Sequence, residues 1–67
     1  MKEKEKGFMH PEGFISLTYD VYYWLWVVVI HYHSGSFNDT EIQLYRDYDN
    51  AVQVYEQNLR QMMGRFE

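Results

Sequence analysis

The chain has no cysteine, one proline and four glycines in 67 residues. Without cysteine there is no disulfide, no thiolate zinc site and no thiol nucleophile. Basic residues are scarce as well. From Phe8 onward only Arg46, Arg60 and Arg65 are cationic, against Glu12, Asp20, Asp39, Glu41, Asp47, Asp49, Glu56 and Glu67, which leaves −5 (3 minus 8). The whole chain stands at −4. Nucleic-acid binders neutralise phosphates with Lys and Arg, so this balance excludes a conventional DNA- or RNA-binding role. Long apolar runs are also missing. Val21 to Ile30 spans ten residues, against about 20 for a membrane-crossing helix, so no membrane partner is expected. That run also lies too deep in the chain for a signal peptide, and cytoplasmic residence is the expectation. Catalytic signatures are lacking too: there is no HExxH and no nucleophile elbow. The sequence reads as a non-enzyme with no cofactor.

What the chain has in quantity is aromatic residues: two Trp, seven Tyr and four Phe. So short a chain makes one domain, and domains of this size are marginal alone. With no staple available, a rich core or a second chain must compensate.

Residues 1–7 alternate Lys and Glu and read as a disordered tail, with residues 8–67 as the single domain. His10-Pro11-Glu12-Gly13 reads as a turn. Phe14 to Tyr19 alternates with strand period. Near Asp20 the pattern leaves two courses open, a turn or a straight continuation, because no Gly, Asn or Pro is there to make a tight hairpin. Val21 to His33 is dense in β-branched and aromatic residues and reads as a central strand. One of its faces carries Tyr22, Trp24, Trp26, Val28, Ile30 and Tyr32, and the other carries Tyr23, Leu25, Val27, Val29, His31 and His33. Ser34 to Asp39 is a loop, and Thr40 to Arg46 alternates again, with Ile42 and Leu44 on one side and Glu41, Gln43 and Tyr45 on the other. Asp47 or Asp49 caps a helix. Its apolar stripe is Tyr48, Val52, Tyr55, Leu59, Met62, Met63 and Phe66, and Gly64 stops it. The expected fold is α+β: a small antiparallel sheet of two or three strands with one C-terminal amphipathic helix packed on one face.

One helix covers one sheet face, so the second apolar face of the central strand requires a cover. A homodimer supplies it, with Tyr22, Trp24, Trp26, Val28, Ile30 and Tyr32 as the expected interface; the alternative is that the segment Phe8 to Leu17 folds over that face within one chain. The acids Asp39, Glu41, Asp47 and Asp49, with Phe37 and Tyr45, form the expected contact set for another protein. Aromatic anchors ringed by charge are what a protein-binding hot spot contains. His31 and His33 share a strand face at a spacing that suits a metal, with His10 and Asp39 or Glu41 to complete the set. Packing at a strand end accounts for the same two imidazoles.

Three segments carry a resemblance: Thr18-Tyr19-Asp20-Val21, Tyr32-His33-Ser34-Gly35, and Glu41 to Tyr45 running into the helix. Over residues 18–60 the chain resembles the very small acidic inhibitors of uracil-DNA glycosylase encoded by some Bacillus phages. The resemblance implies a dimeric three-stranded sheet with one helix, a phage source, and a DNA-mimicking inhibitor of a DNA-binding enzyme. That family's acidic hairpin between its first two strands is replaced here by Trp24 to Ile30. Phe37 stands nearest its phenylalanine anchor, out of alignment with it. The expected function is therefore a small acidic protein-binding module acting as inhibitor or regulator. The second reading is a homo-oligomeric structural or assembly subunit, and the third a His-based metal binder.

Overall fold

A computed structural model describes residues 4–65, apart from the side chains of Ser34 and Phe37. Four strands and a helix follow one another: β1 (Lys6–His10), β2 (Gly13–Asp20), β3 (Leu25–Ser34), β4 (Phe37–Tyr45) and α1 (Tyr48–Arg65). The strands form one antiparallel meander in the order β1-β2-β3-β4. The class is α+β as expected, but the sheet has four strands rather than two or three. The added strand is β1. It takes Lys6 and Gly7 out of the stretch read as a tail and pairs them with Leu17 and Ser16. Residues 1–3 of that stretch lie outside the described residues.

Each turn has a local cause. Pro11 and Glu12 join β1 to β2, and the His10 imidazole Nδ1 accepts the Glu12 amide at 3.1 Å. Gly35 and Ser36 join β3 to β4, where Gly35 takes a φ of 59°. Glycine at the first position of a two-residue hairpin loop meets that demand without a Cβ clash. The loop expected at Ser34 to Asp39 is thus two residues long, and Phe37 to Asp39 belong to β4.

Side chains alternate across a sheet, and cross-strand partners share a face. Ile15, Ile30 and Glu41 form one row, Leu17, Val28 and Gln43 the next, and Tyr19, Trp26 and Tyr45 the third. The helix lies over these rows. Ile15, Leu17, Trp26, Val28 and Ile30 are buried beneath it against Ala51, Tyr55 and Met62. Trp26 packs between Tyr19 and Tyr48 at ring distances of 4.9 and 4.7 Å. The opposite face has no covering element among the described residues.

Asp47 caps the helix. Its carbonyl accepts the Ala51 amide at 3.1 Å, and its Oδ1 lies 3.4 Å from the Asp49 amide. Asp49 in the first turn and Arg65 in the last complement the helix dipole. Ala51, absent from the expected stripe, is fully buried, and its small side chain lets the first turns approach the sheet. Met63, placed on the stripe from sequence, is exposed, and Phe66 lies outside the described residues. The helix continues through Gly64 to Arg65. Burial pushes the Tyr55 phenol above its ordinary value, with the neighbouring Glu56 charge adding to the effect. Among the described residues no helix is long and apolar enough to cross a membrane.

Candidate functional site

The chain turns at Asp20, and the aspartate itself makes the turn possible. Asp20 and Leu25 are cross-strand partners, so Val21 to Trp24 form a four-residue loop. The Asp20 Oδ1 accepts the amides of Tyr22 at 2.9 Å and Tyr23 at 3.2 Å. The Asp20 carbonyl accepts the Trp24 amide at 2.8 Å. Three loop amides are therefore satisfied by one residue, the role that Asp plays through its short side chain in turns. The loop closes with Trp24 at φ 60°, in the left-handed region where a bulky L-residue is strained.

This hairpin tip presents its side chains to solvent. Val21, Tyr22, Tyr23 and Trp24 are 73%, 81%, 67% and 75% exposed. Tyr22 and Tyr23 meet edge to face at 5.2 Å. The tip is thus an exposed aromatic surface on a loop held by its own hydrogen bonds, and strain of the Trp24 kind clusters at functional sites.

A second uncovered surface is the far side of the sheet. Its central rows are Ser16, Val29 and Ile42, then Thr18, Val27 and Leu44. Ile42 and Leu44 are 62% and 57% exposed. Phe14 and His31 stack at 5.1 Å at the other end of the same face.

The expected dimer interface does not survive intact. Tyr22 and Trp24 belong to the loop rather than to the strand. Trp26, Val28 and Ile30 are sealed beneath the helix and unavailable to a partner. Tyr32 lies half-buried on that same side, with the Arg65 guanidinium 4.7 Å above its ring. The expected alternation holds from Leu25 onward, but the helix covers the face expected to meet a second chain.

The expected partner contacts divide as well. Asp39 lies near the β3–β4 turn, whereas Tyr45, Asp47 and Asp49 lie at the opposite end, beside the hairpin tip. Six residue steps along the strand take the chain from Asp39 to Tyr45, about 20 Å. Glu41 stands between them. Its Oε2 accepts from Gln43 Nε2 at 2.6 Å, and Gln43 Oε1 in turn accepts the Tyr45 hydroxyl. Asp47 is engaged as the helix cap. The side chain of Phe37 lies outside the described residues.

The histidines do not converge on an ion. His31 Nδ1 lies 2.9 Å from Thr40 Oγ1, and His33 Nδ1 lies 2.6 Å from Asn38 Oδ1. Alternation puts His10, Asp39 and Glu41 on the other side of the sheet. Among the described residues no three His, Asp or Glu side chains are grouped to hold a metal.

Sequence reasoning missed Val21 and Tyr23 as tip residues, and Ile42 and Leu44 as surface residues. The signal for the tip was Asp20 followed by two amides within reach of its carboxylate. The signal for the surface was the alternation of β4, whose apolar side is the one turned away from the helix. Comparison with protein families, with curated proteins and with solved structures gives no match.

Proposed function

We propose that this chain is a small acidic protein-binding module that inhibits or regulates another protein through the Val21–Trp24 hairpin tip. The observation that carries this reading is the tip itself: three exposed aromatic rings on a loop whose amides are bound by Asp20. Such a loop is ordered before it binds, so it loses little further freedom on docking. Tyr and Trp are the side chains that dominate binding hot spots. Asp47 and Asp49 stand at the same end of the sheet, so the fitting partner offers an apolar recess rimmed by basic groups. Its approach would be steered by charge.

The resemblance over residues 18–60 makes a DNA-binding enzyme the first partner to test, with a phage source, a cytoplasmic setting and carboxylates in place of phosphates. On this reading the chain has no catalytic step of its own.

The test is capture from a bacterial lysate with the native chain and with the triple variant Tyr22→Ser, Tyr23→Ser, Trp24→Ser. A protein retained by the first and lost with the second is the expected result, and identical captured sets refute the reading. Neutralising Glu41, Asp47 and Asp49 to their amides is then expected to weaken that partner most at low salt. An unchanged salt dependence removes DNA mimicry while leaving the tip contact in place.

The second reading, a homo-oligomeric assembly subunit, is favoured by a different observation, the uncovered apolar sheet face.

A further inference from the structure

We infer that the open face of the sheet is the seat of a second copy of this chain. Two sheets then pack face to face as an eight-stranded sandwich with the helices outside. Three observations lead there, and none of them involves the hairpin tip.

The first is the pattern of β4. This edge strand turns Ile42 and Leu44 to the open side and Glu41 and Gln43 to the helix side. A strand whose apolar residues sit on the wrong side for the visible core is patterned for burial on its other face, because a period-two pattern assigns every residue to one side or the other. Val27 and Val29 of β3 extend the same apolar surface to the middle of the sheet.

The second is charge. Along the four described strands, Asp20 is the only Asp, Glu, Lys or Arg on the open side, and it lies at the rim with its carboxylate bound to the tip amides. The helix side of the same strands carries Lys6, Asp39 and Glu41. A chain of net charge −4 repels its own copy wherever acids meet acids. The open face is where that repulsion is absent, which suits self-association better than capture of a charged partner.

The third is size. Four strands about 4.8 Å apart and about eight residues long at about 3.3 Å each make a face on the order of 19 by 26 Å. Two such faces bury about 1,000 Å² before side-chain relief is counted, enough for a specific interface. The central side chains are short, Ser16, Thr18, Val27 and Val29, and leave a low surface that a second sheet can approach to about 10 Å.

The test is the mass in solution by sedimentation equilibrium of the native chain, of Ile42→Asp with Leu44→Asp, and of Trp24→Ser. Helix and strand content by circular dichroism and the emission of buried Trp26 verify the fold of each. The native chain is expected at twice its 8.2 kDa. The double variant is expected as a folded monomer, its dissociation constant raised by at least roughly a hundredfold, since it places two carboxylates from each chain in an apolar seam. Trp24→Ser is expected to remain dimeric.

A native chain that is monomeric at high micromolar concentration overturns the inference. So does a double variant that stays dimeric, or a dimer lost on changing Trp24 alone. The absence of cysteine supplies a second measurement that does not depend on the double variant folding. A single Thr18→Cys on the open face is expected to couple chain to chain through a short bis-maleimide faster than a single Gln57→Cys on the outer face of the helix. Equal rates overturn the inference. The hairpin-tip reading stands or falls separately, on partner capture.

Discussion

Trp24 closes the hairpin loop at φ 60°, with its side chain 75% exposed. Replacing it with glycine and, separately, with alanine isolates the backbone contribution, because both changes remove the same ring. The left-handed conformation costs a non-glycine residue about 1–2 kcal/mol. Glycine escapes that cost but returns about 0.5–1 kcal/mol through the greater freedom of the unfolded chain. Loss of a ring already in water adds little. Trp24→Gly is therefore expected to stabilise the fold by about 0.5–1 kcal/mol, a rise of about 2–8 °C in Tm for a domain of this size. Trp24→Ala retains the strain and is expected near the native value or slightly below it.

The assay is thermal unfolding followed by the emission of Trp26, the only tryptophan left in both variants and buried against Tyr19 and Tyr48. Chain concentration must be held constant, since association shifts Tm by mass action. On the proposed function the same Gly variant loses partner capture while it gains stability. A Tm lowered by several degrees in both variants would show that the ring is packed rather than free. A Tm lower for the Gly variant than for the Ala variant would show that the loop is unstrained, because only the greater freedom of the unfolded chain would then separate them. Either result refutes the reasoning.

Two further outcomes follow from the same geometry. Asp20→Ala leaves the Tyr22 and Tyr23 amides without their acceptor and is expected to cost about 1–2 kcal/mol in thermal unfolding, whereas Asp20→Asn keeps an acceptor oxygen and is expected to lose less than half of that. Tyr55, whose phenol is raised by burial, contributes stability that is complete below its unfolded value near pH 10 and is lost as pH rises through the folded value. Tyr55→Phe is expected to flatten the alkaline limb of a Tm-against-pH curve without steepening the neutral one.

Much of the fold was legible in local pattern. The turn at Pro11-Glu12, the alternation of β3 and the Asp47 cap each have a cause within a few residues, and each is where the residues put it. β1 was not legible because Lys6, Gly7 and His10 give it no strand signature. Its pairing with β2 comes from the two-residue turn and from Phe8 reaching the core. Asp20 was illegible for a different reason. A residue in the left-handed region is expected to be Gly or Asn, and here it is Trp24, so the turn depends on a side-chain acceptor that outweighs a poor backbone choice.

The candidate site was legible in kind more than in place. An aromatic surplus beyond what one helix covers was readable, but both faces of β3 are apolar, and a period-two pattern does not say which one the helix takes. Side-chain size bears on that choice. Trp26 and Ile30 fill the deep layer beneath the helix, while Val27 and Val29 leave a low surface.

The two surfaces also bear on each other through stability. Among the described residues eight apolar side chains form the buried core, and domains of this length bury only about 60% of the surface their unfolded chains expose. A strain of about 1–2 kcal/mol at Trp24 is a sizeable fraction of the 5 kcal/mol or so that a small domain of this kind holds. A monomer would sustain that strain with one sheet face still in water. If a second copy covers the face, the chain gains a second apolar layer, and the strained tip becomes tolerable because stability is supplied on the far side of the sheet. The one-helix architecture thus ties the two proposals together without making either depend on the other's partner. The helix protects the Trp26 face, the proposed self-association would protect the Val27 face, and the hydrogen-bonded loop between β2 and β3 would be left exposed to meet something else.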